Sequence, residues 1–259
     1  MIPISDVQIN AIVGYFVWPF ARITGLLSAE PFFSSRSIPR RYRAGFALVL
    51  TLVLAPLLPP LPATPLVSPA GLAMLFEQLL IGLAMGFVMR LILAATDVAG
   101  TLISSEMGLS FAMFFDPQSS TTEPVLSTLL GVFMTMLFLS FDGPRIVIAT
   151  LVDSFTVLPI GKSVPWVTWR HMAEWGGQVI GWGLWLSLPV MAALLVTNLA
   201  IGVMTRAAPQ FNVFSFGFPL TLSIGFVALY LALPLMAPQI EQLYQLGFSF
   251  MLGMLKTVS

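Results

Sequence analysis

Three stretches of this chain contain no Asp, Glu, Lys or Arg: residues 44–76, 175–205 and 207–240. Shorter uncharged runs lie at 7–21 and 124–141. About 20 apolar residues make a helix that crosses a hydrocarbon core, and lipid forces every backbone group to find its partner within the protein. The runs therefore predict a polytopic, all-α integral membrane protein. Composition agrees, with 58% hydrophobic and 8% charged residues, where soluble domains carry roughly a quarter charged. The apolar runs are continuous and lack the alternation of a transmembrane barrel.

The expected segments are 7–27, 44–58, 71–103, 124–141 with a continuation over 146–158, 175–205, 213–236 and 240–255. They are awkward as simple spans. Residues 44–58 stop early at a Pro-rich stretch that runs from Pro56 to Pro69. Residues 175–205 make a helix of roughly 46 Å at 1.5 Å per residue, well beyond the roughly 30 Å core. Pro189, Pro219 and Pro234 each remove a backbone donor and invite kinks. Irregular backbone at membrane depth requires cover by other protein or a cavity to line. Gly82 with Gly86, and Gly177 with Gly181, have the GxxxG spacing that lets helices approach closely. Packing within one bundle and packing of kinked hairpins against other chains both fit that spacing.

Charge narrows the function classes. The formal net charge is zero, so no nucleic acid is expected as a partner. Absence of Cys excludes disulfides and thiolate metal sites. The beginning, MIPISDVQIN, has no basic residue before its apolar run, so the first segment is expected to remain in the mature protein. Arg36, Arg40, Arg41 and Arg43 form a basic loop between the first two segments, which the positive-inside rule places in the cytoplasm. Arg206 falls on the same side if 71–103 and 175–205 each cross once, whereas Arg145, Lys162 and Arg170 fall opposite.

Catalytic signals are sparse. His171 is the single histidine, which rules out a multi-histidine zinc site. Beside Trp169 and Arg170 it reads as an interfacial residue rather than a triad base with Asp153. Gly161-Lys162-Ser163 lacks the earlier glycine of a phosphate loop, since position 156 is Thr. No enzyme activity and no cofactor are expected. Arg22, Glu77, Arg90 and Asp97 lie inside apolar segments, where charges are costly and commonly pair or mark ion routes. Arg90 and Asp97 share a helix face, and Arg22 is near enough to a segment end to snorkel. A secondary transporter of a small solute using Glu77, Arg90 and Asp97 is the alternative function, although no internal repeat supports it.

One segment fits neither loop nor span: Gly108-Leu-Ser-Phe-Ala-Met-Phe-Phe-Asp-Pro117. It is too apolar for an exposed loop and too short to cross a bilayer. Leu109, Phe111, Met113, Phe114 and Phe115 have the bulk for a dry constriction, and Met adapts its shape. Packing between helices serves the same side chains equally well. Gly108 is a plausible hinge, and Asp116 and Pro117 close the segment.

Three ordered blocks resemble the FliR family of flagellar and injectisome export proteins. They are Glu30-Pro31 through Pro39, Arg41 and Arg43 to Gly45; Glu106 through Pro117; and Thr205-Arg206-Ala-Ala-Pro209-Gln210-Phe-Asn212 through Gly217-Phe-Pro219-Leu220. The GFPL form of the last block resembles the flagellar branch. The resemblance implies one FliR-like export-gate domain over 1–259, folded as packed helical hairpins like a FliP-like and a FliQ-like unit joined. It implies a structural subunit that assembles with FliP and FliQ, associates with FlhB and FlhA, and forms a channel for unfolded flagellar substrates. The location implied is the bacterial inner membrane within the flagellar basal body, in contact with lipid and partly above the bilayer on the periplasmic side. It also implies that a loop around 106–123 plugs the channel. Arg206, Pro209, Gln210, Asn212, Gly217 and Pro219 are then expected at a helix turn or subunit interface.

Overall fold

The computed structural model describes residues 6–59, 62, 64–109, 125–208 and 217–256. Among these residues all regular structure is helical. The helices are α1 (Asp6–Ala29), α2 (Arg40–Leu54, running into a 3₁₀ turn at Ala55–Leu57), α3 (Pro69–Glu106), α4 (Val125–Ser140), α5 (Gly143–Val157), α6 (Trp166–Gly176), α7 (Val179–Ala207) and α8 (Phe218–Gly253). The runs Pro69–Glu106, Trp166–Ala207 and Phe218–Gly253 are long and apolar enough to cross a membrane, while α4 and α5 reach that length only together.

Several boundaries differ from the sequence expectation. The expected segments 213–236 and 240–255 are not separate: one helix, α8, runs from Phe218 to Gly253 through Pro234 and Pro238. Pro189 likewise lies inside an unbroken α7. A proline removes one ladder bond, but unwinding in apolar surroundings would strand several more, so the helix persists. The continuation after 141 is a real break: Asp142 adopts a left-handed conformation (φ 56°), and Pro144 then sits in the first turn of α5. Residues Trp166–Gly176 form a short helix, α6, which a turn at 177–178 separates from the long one.

The chain divides into two compact units. The first comprises Met1–Leu91, Asp142–Gly176 and Gln245–Ser259. Its centre is the crossing of α1 with the first half of α3. Trp18, Ile23, Leu26 and Leu27 of α1 and Ile81, Met85, Val88 and Met89 of α3 are all buried. Their three- and four-residue spacing makes one apolar stripe per helix. Glycines bring the two backbones together: a Cβ on Gly25 would lie 2.5 Å from the Leu79 carbonyl oxygen, and one on Gly86 would lie 2.7 Å from the Glu30 nitrogen. The Trp18 indole donates to the Gly71 carbonyl at 3.3 Å. Pro31 stops α1, because the residue before a proline avoids helical geometry.

The second unit comprises Ile92–Phe141 and Gly177–Tyr244. Four stripes meet there: Ala95, Ala99, Ile103 and Met107 at the end of α3; Leu126, Leu130, Met134 and Phe138 of α4; Leu186, Val190, Leu194 and Ile201 of α7; and Leu229, Ala232, Met236 and Ile240 of α8. Close approaches again use glycine. A Cβ on Gly100 would meet Ser127 Cα at 2.5 Å, and one on Gly183 would meet Val98 Cγ1 at 2.5 Å. Outside this core α7 leaves Ile180, Leu184, Leu188, Leu195, Leu199 and Val203 exposed.

Candidate functional site

The segment 108–117 follows the C-terminus of α3. After Glu106, the Gly108 N–H donates to the Ser105 carbonyl and the Leu109 N–H to the Ser104 carbonyl, both at 3.0 Å. Those two bonds, with Gly108 at φ 78°, form a Schellman cap, which a left-handed glycine closes without steric cost. Met107 is buried, and a Cβ on Gly225 would lie 2.7 Å from its side chain. Leu109 is half-buried. Phe111, Met113, Phe114, Phe115, Asp116 and Pro117 lie outside the described residues.

α4 begins at Val125 and runs back along α3. Ser127 anchors that return: its hydroxyl donates to the Asp97 carbonyl at 3.1 Å and lies 3.4 Å from the Thr101 hydroxyl. α3 and α4 thus form a helical hairpin whose connection is the apolar segment. Both its ends are held by specific backbone geometry, the cap at Gly108 and the contact of Gly100 with Ser127.

A polar chain lies at the same end of α3. The Asn198 amide of α7 donates to the Glu106 carboxylate, and the Thr221 hydroxyl of α8 approaches the Asn198 carbonyl oxygen, each at 3.4 Å. Thr221 also donates to the Gly217 carbonyl at 3.0 Å, which ties the start of α8 into the group. Glu106, from the second sequence block, and Gly217, from the third, are therefore joined through Asn198. Sequence reasoning missed Asn198; its signal was an amide within the uncharged run 175–205, which holds one other at Gln178. Arg206 is exposed in the last turn of α7, where a cation complements the helix dipole. Pro219 is exposed in the first turn of α8, and Pro209, Gln210 and Asn212 lie outside the described residues.

The intra-segment charges have separate fates. Arg22 does not snorkel. It is buried in the first unit, with Nε donating to Gln78 Oε1 at 2.8 Å, Nη1 to the Ser154 carbonyl at 2.9 Å, and Nη2 to the Leu158 carbonyl at 3.0 Å. Its guanidinium also lies 4.3 Å from the Phe155 ring centroid. The side chain joins α1, α3 and the end of α5. Glu77 accepts the Val164 N–H at 2.7 Å. Arg90 and Asp97 are exposed on α3.

In the first block Glu30 is buried and accepts the Phe33 N–H at 2.8 Å, capping the turn that begins at Pro31. Burial pushes its carboxyl above the ordinary carboxylate range, against the pull of the Phe33 and Phe32 N–H groups. Pro39 precedes α2, Arg41 is exposed, and Arg43 donates to the Ile38 carbonyl at 3.1 Å. His171 is exposed on α6. Among the described residues no group of three or more His, Asp or Glu could hold a metal ion.

Residues 13–247 match the family described as bacterial export proteins, family 1. The chain is 41% identical over 249 residues to the flagellar biosynthetic protein FliR of Pectobacterium carotovorum, covering 95% of each chain. It is 37% identical over 252 residues to FliR of Escherichia coli K12, covering 97% of this chain and 96% of that one. FliR of Caulobacter vibrioides is 33% identical over 219 residues, 83% of this chain and 86% of its own. A match along nearly the whole length, through both helical units and all three blocks, assigns this all-α chain to the FliR family of bacterial export proteins, membrane components of the flagellar export apparatus.

Proposed function

We propose that the chain is a core structural subunit of the flagellar type III export gate in the bacterial inner membrane. It assembles with FliP and FliQ, is joined by FlhB and FlhA, and helps form and close the channel for unfolded flagellar proteins. Part of the assembly stands above the bilayer on the periplasmic side. The whole chain, 1–259, acts as one gate domain.

The observation that supports this reading best is the α3–α4 hairpin. An apolar connection is launched by the Gly108 cap and drawn back at Ser127. On this proposal Leu109, Phe111, Met113, Phe114 and Phe115 fill the channel as a plug, and Asp116 and Pro117 return the chain toward α4. A constriction of bulky apolar side chains opposes ions and water, and Met lets the seal reform around different substrates. Arg206, Pro209, Gln210, Asn212, Gly217 and Pro219 form a turn that faces a neighbouring subunit. The unsheathed faces of α7 and α8 leave surface for FliP, FliQ and lipid. No observation favours the transporter alternative, because Glu77 is engaged by Val164 and Arg90 is exposed.

The test is native mass spectrometry of the chain co-expressed with FliP and FliQ of the same genome. A copy of the chain within a FliP–FliQ assembly is expected; a monomer or homodimer that ignores both would overturn the proposal. In the assembled complex, deletion of 109–115 should raise ion leakage across the membrane while assembly persists. Unchanged conductance of an intact complex would return those side chains to ordinary packing.

A further inference from the structure

The basic run at the start of α2 meets no acidic side chain among the described residues. Arg36, Arg40 and Arg41 are exposed, and none of them forms an ion pair among the described residues. No Asp or Glu occurs between Glu30 and Glu77, and Glu30 is buried beneath the Phe33 N–H. The cluster also opposes the fold locally. The first turn of α2 contains no acidic residue and its cap, Pro39, supplies no side-chain bond, whereas cations there repel the positive end of the helix dipole. Arg43 has an internal role, through its bond to the Ile38 carbonyl.

The adjoining surface has a different character. α2 turns Ala47, Thr51 and Leu54 inward. Its outer side carries Tyr42, Phe46, Val49 and Val53 in one stripe, and Arg41, Leu48 and Leu52 beside it, all exposed. The Arg41 guanidinium lies 5.2 Å from the Tyr42 ring centroid. A positive cluster at one end of an apolar flank matches an acidic headgroup above acyl chains. The flank extends about 20 Å from the arginines, sufficient to pass through one leaflet's half of the roughly 30 Å core. An acidic protein surface would answer the arginines and leave the aliphatic flank uncovered.

We propose that Arg36, Arg40 and Arg41, with the outer face of α2, form a binding site for the phosphate headgroup of an anionic phospholipid. The arginines lie at headgroup level, Tyr42 at the interface, and Phe46 to Val53 along the acyl chains. The site does not depend on the export reading.

The experiment is native mass spectrometry of the full chain, in the complex with which it purifies, after addition of phosphatidylglycerol or phosphatidylcholine. Wild type should retain phosphatidylglycerol in preference to phosphatidylcholine. The triple variant R36Q/R40Q/R41Q should lose that retention by on the order of tenfold, since each basic group near the surface contributes to lipid attraction. Arg145→Gln, which removes an exposed arginine beside Asp142, should leave it unchanged. Equal retention of the two lipids by wild type, or full retention by the triple variant, would overturn the proposal. An equal loss in Arg145→Gln would assign the effect to overall charge and also overturn it. Excess inorganic phosphate should not displace the lipid; displacement would show that free phosphate is the ligand instead. If the triple variant fails to fold, single Arg41→Gln and the selective thermal stabilisation of wild type by phosphatidylglycerol decide the same question.

Discussion

Two GxxxG spacings of identical form have opposite surroundings. At Gly82 and Gly86 the α1 backbone lies directly on α3: a Cβ on Gly82 would overlap the Arg22 carbonyl, and one on Gly86 would press the Ala29 side chain and the Glu30 nitrogen. At Gly181 nothing lies within 4 Å, and Gly177 is exposed. The tight contact on α7 falls instead at Gly183, against Val98 and the Ala95 carbonyl. Small residues permit close approach, but the partner's position decides where it happens. The first pair is consumed within the chain, and the second remains available to lipid or to a neighbouring subunit. Burial of whole spans follows the same division, with 56% of the α3 window covered against 28% for the windows over Trp166–Ala207 and Phe218–Gly253.

Substitution at the two motifs should expose this contrast most sharply. Gly82→Leu drives a side chain into backbone and should cost on the order of 3 kcal/mol or more, seen as loss of folded protein in detergent. Gly181→Ala meets open space and should shift stability by no more than about 1 kcal/mol, in the stabilising direction that removal of a helical glycine gives. Equal losses at both positions would mean that the second motif is packed after all.

Arg22→Ala tests the polar counterpart of the first seam. It strips buried acceptors on Gln78, Ser154 and Leu158 and opens a cavity, so thermal unfolding should report a loss on the order of 3–5 kcal/mol. Arg22→Lys should recover only part, because one ammonium cannot reach three diverging acceptors. A near-neutral Arg22→Ala would demote the seam to apolar packing alone.

Gly108→Ala addresses the second region. A left-handed cap that loses glycine should destabilise by about 1 kcal/mol, and in an assembled complex it should also raise ion leakage by disturbing the launch of 109–117. Leakage unchanged at that cost would separate the cap from sealing.

The smallest expected effect is at Glu30. Its carboxyl lies above the ordinary value of 4.5 because of burial, which favours the protonated form in the folded state. Its contribution to stability is therefore complete below the unfolded value and is lost as pH rises through the folded one. Glu30→Gln, neutral throughout, should flatten that part of the stability curve above the ordinary value of 4.5, measured by thermal unfolding. A variant curve with the wild-type slope would assign the titration to another group.

Much of this architecture is legible in the residues. The apolar segments expected at 71–103 and 175–205 locate α3 and α7, and the Pro-rich stretch from Pro56 explains why α2 stops short. Gly108, expected as a hinge that delimits the apolar segment, has a left-handed φ and closes a Schellman cap. Less was legible where side chains or prolines have two outcomes. Pro234 and Pro238 are compatible with a break or a continuous helix, and apolar surroundings favour the latter. Asn198 looked inert in a one-dimensional run, because its partners Glu106 and Thr221 are remote along the chain. Arg22 had the same ambiguity: its distance from a segment end suggested snorkelling, while its acceptors come from residues 78, 154 and 158.

The sequence by itself determined the solvent class, the all-helical fold and the family, because apolar run length and ordered motifs are properties of the chain in one dimension. Only the tertiary structure decided which glycines are in contact, which charge is buried, and which polar groups gather around the ends of the apolar segment. Those outcomes depend on distances between residues far apart along the chain, and hydrophobicity, which has no direction, does not specify them.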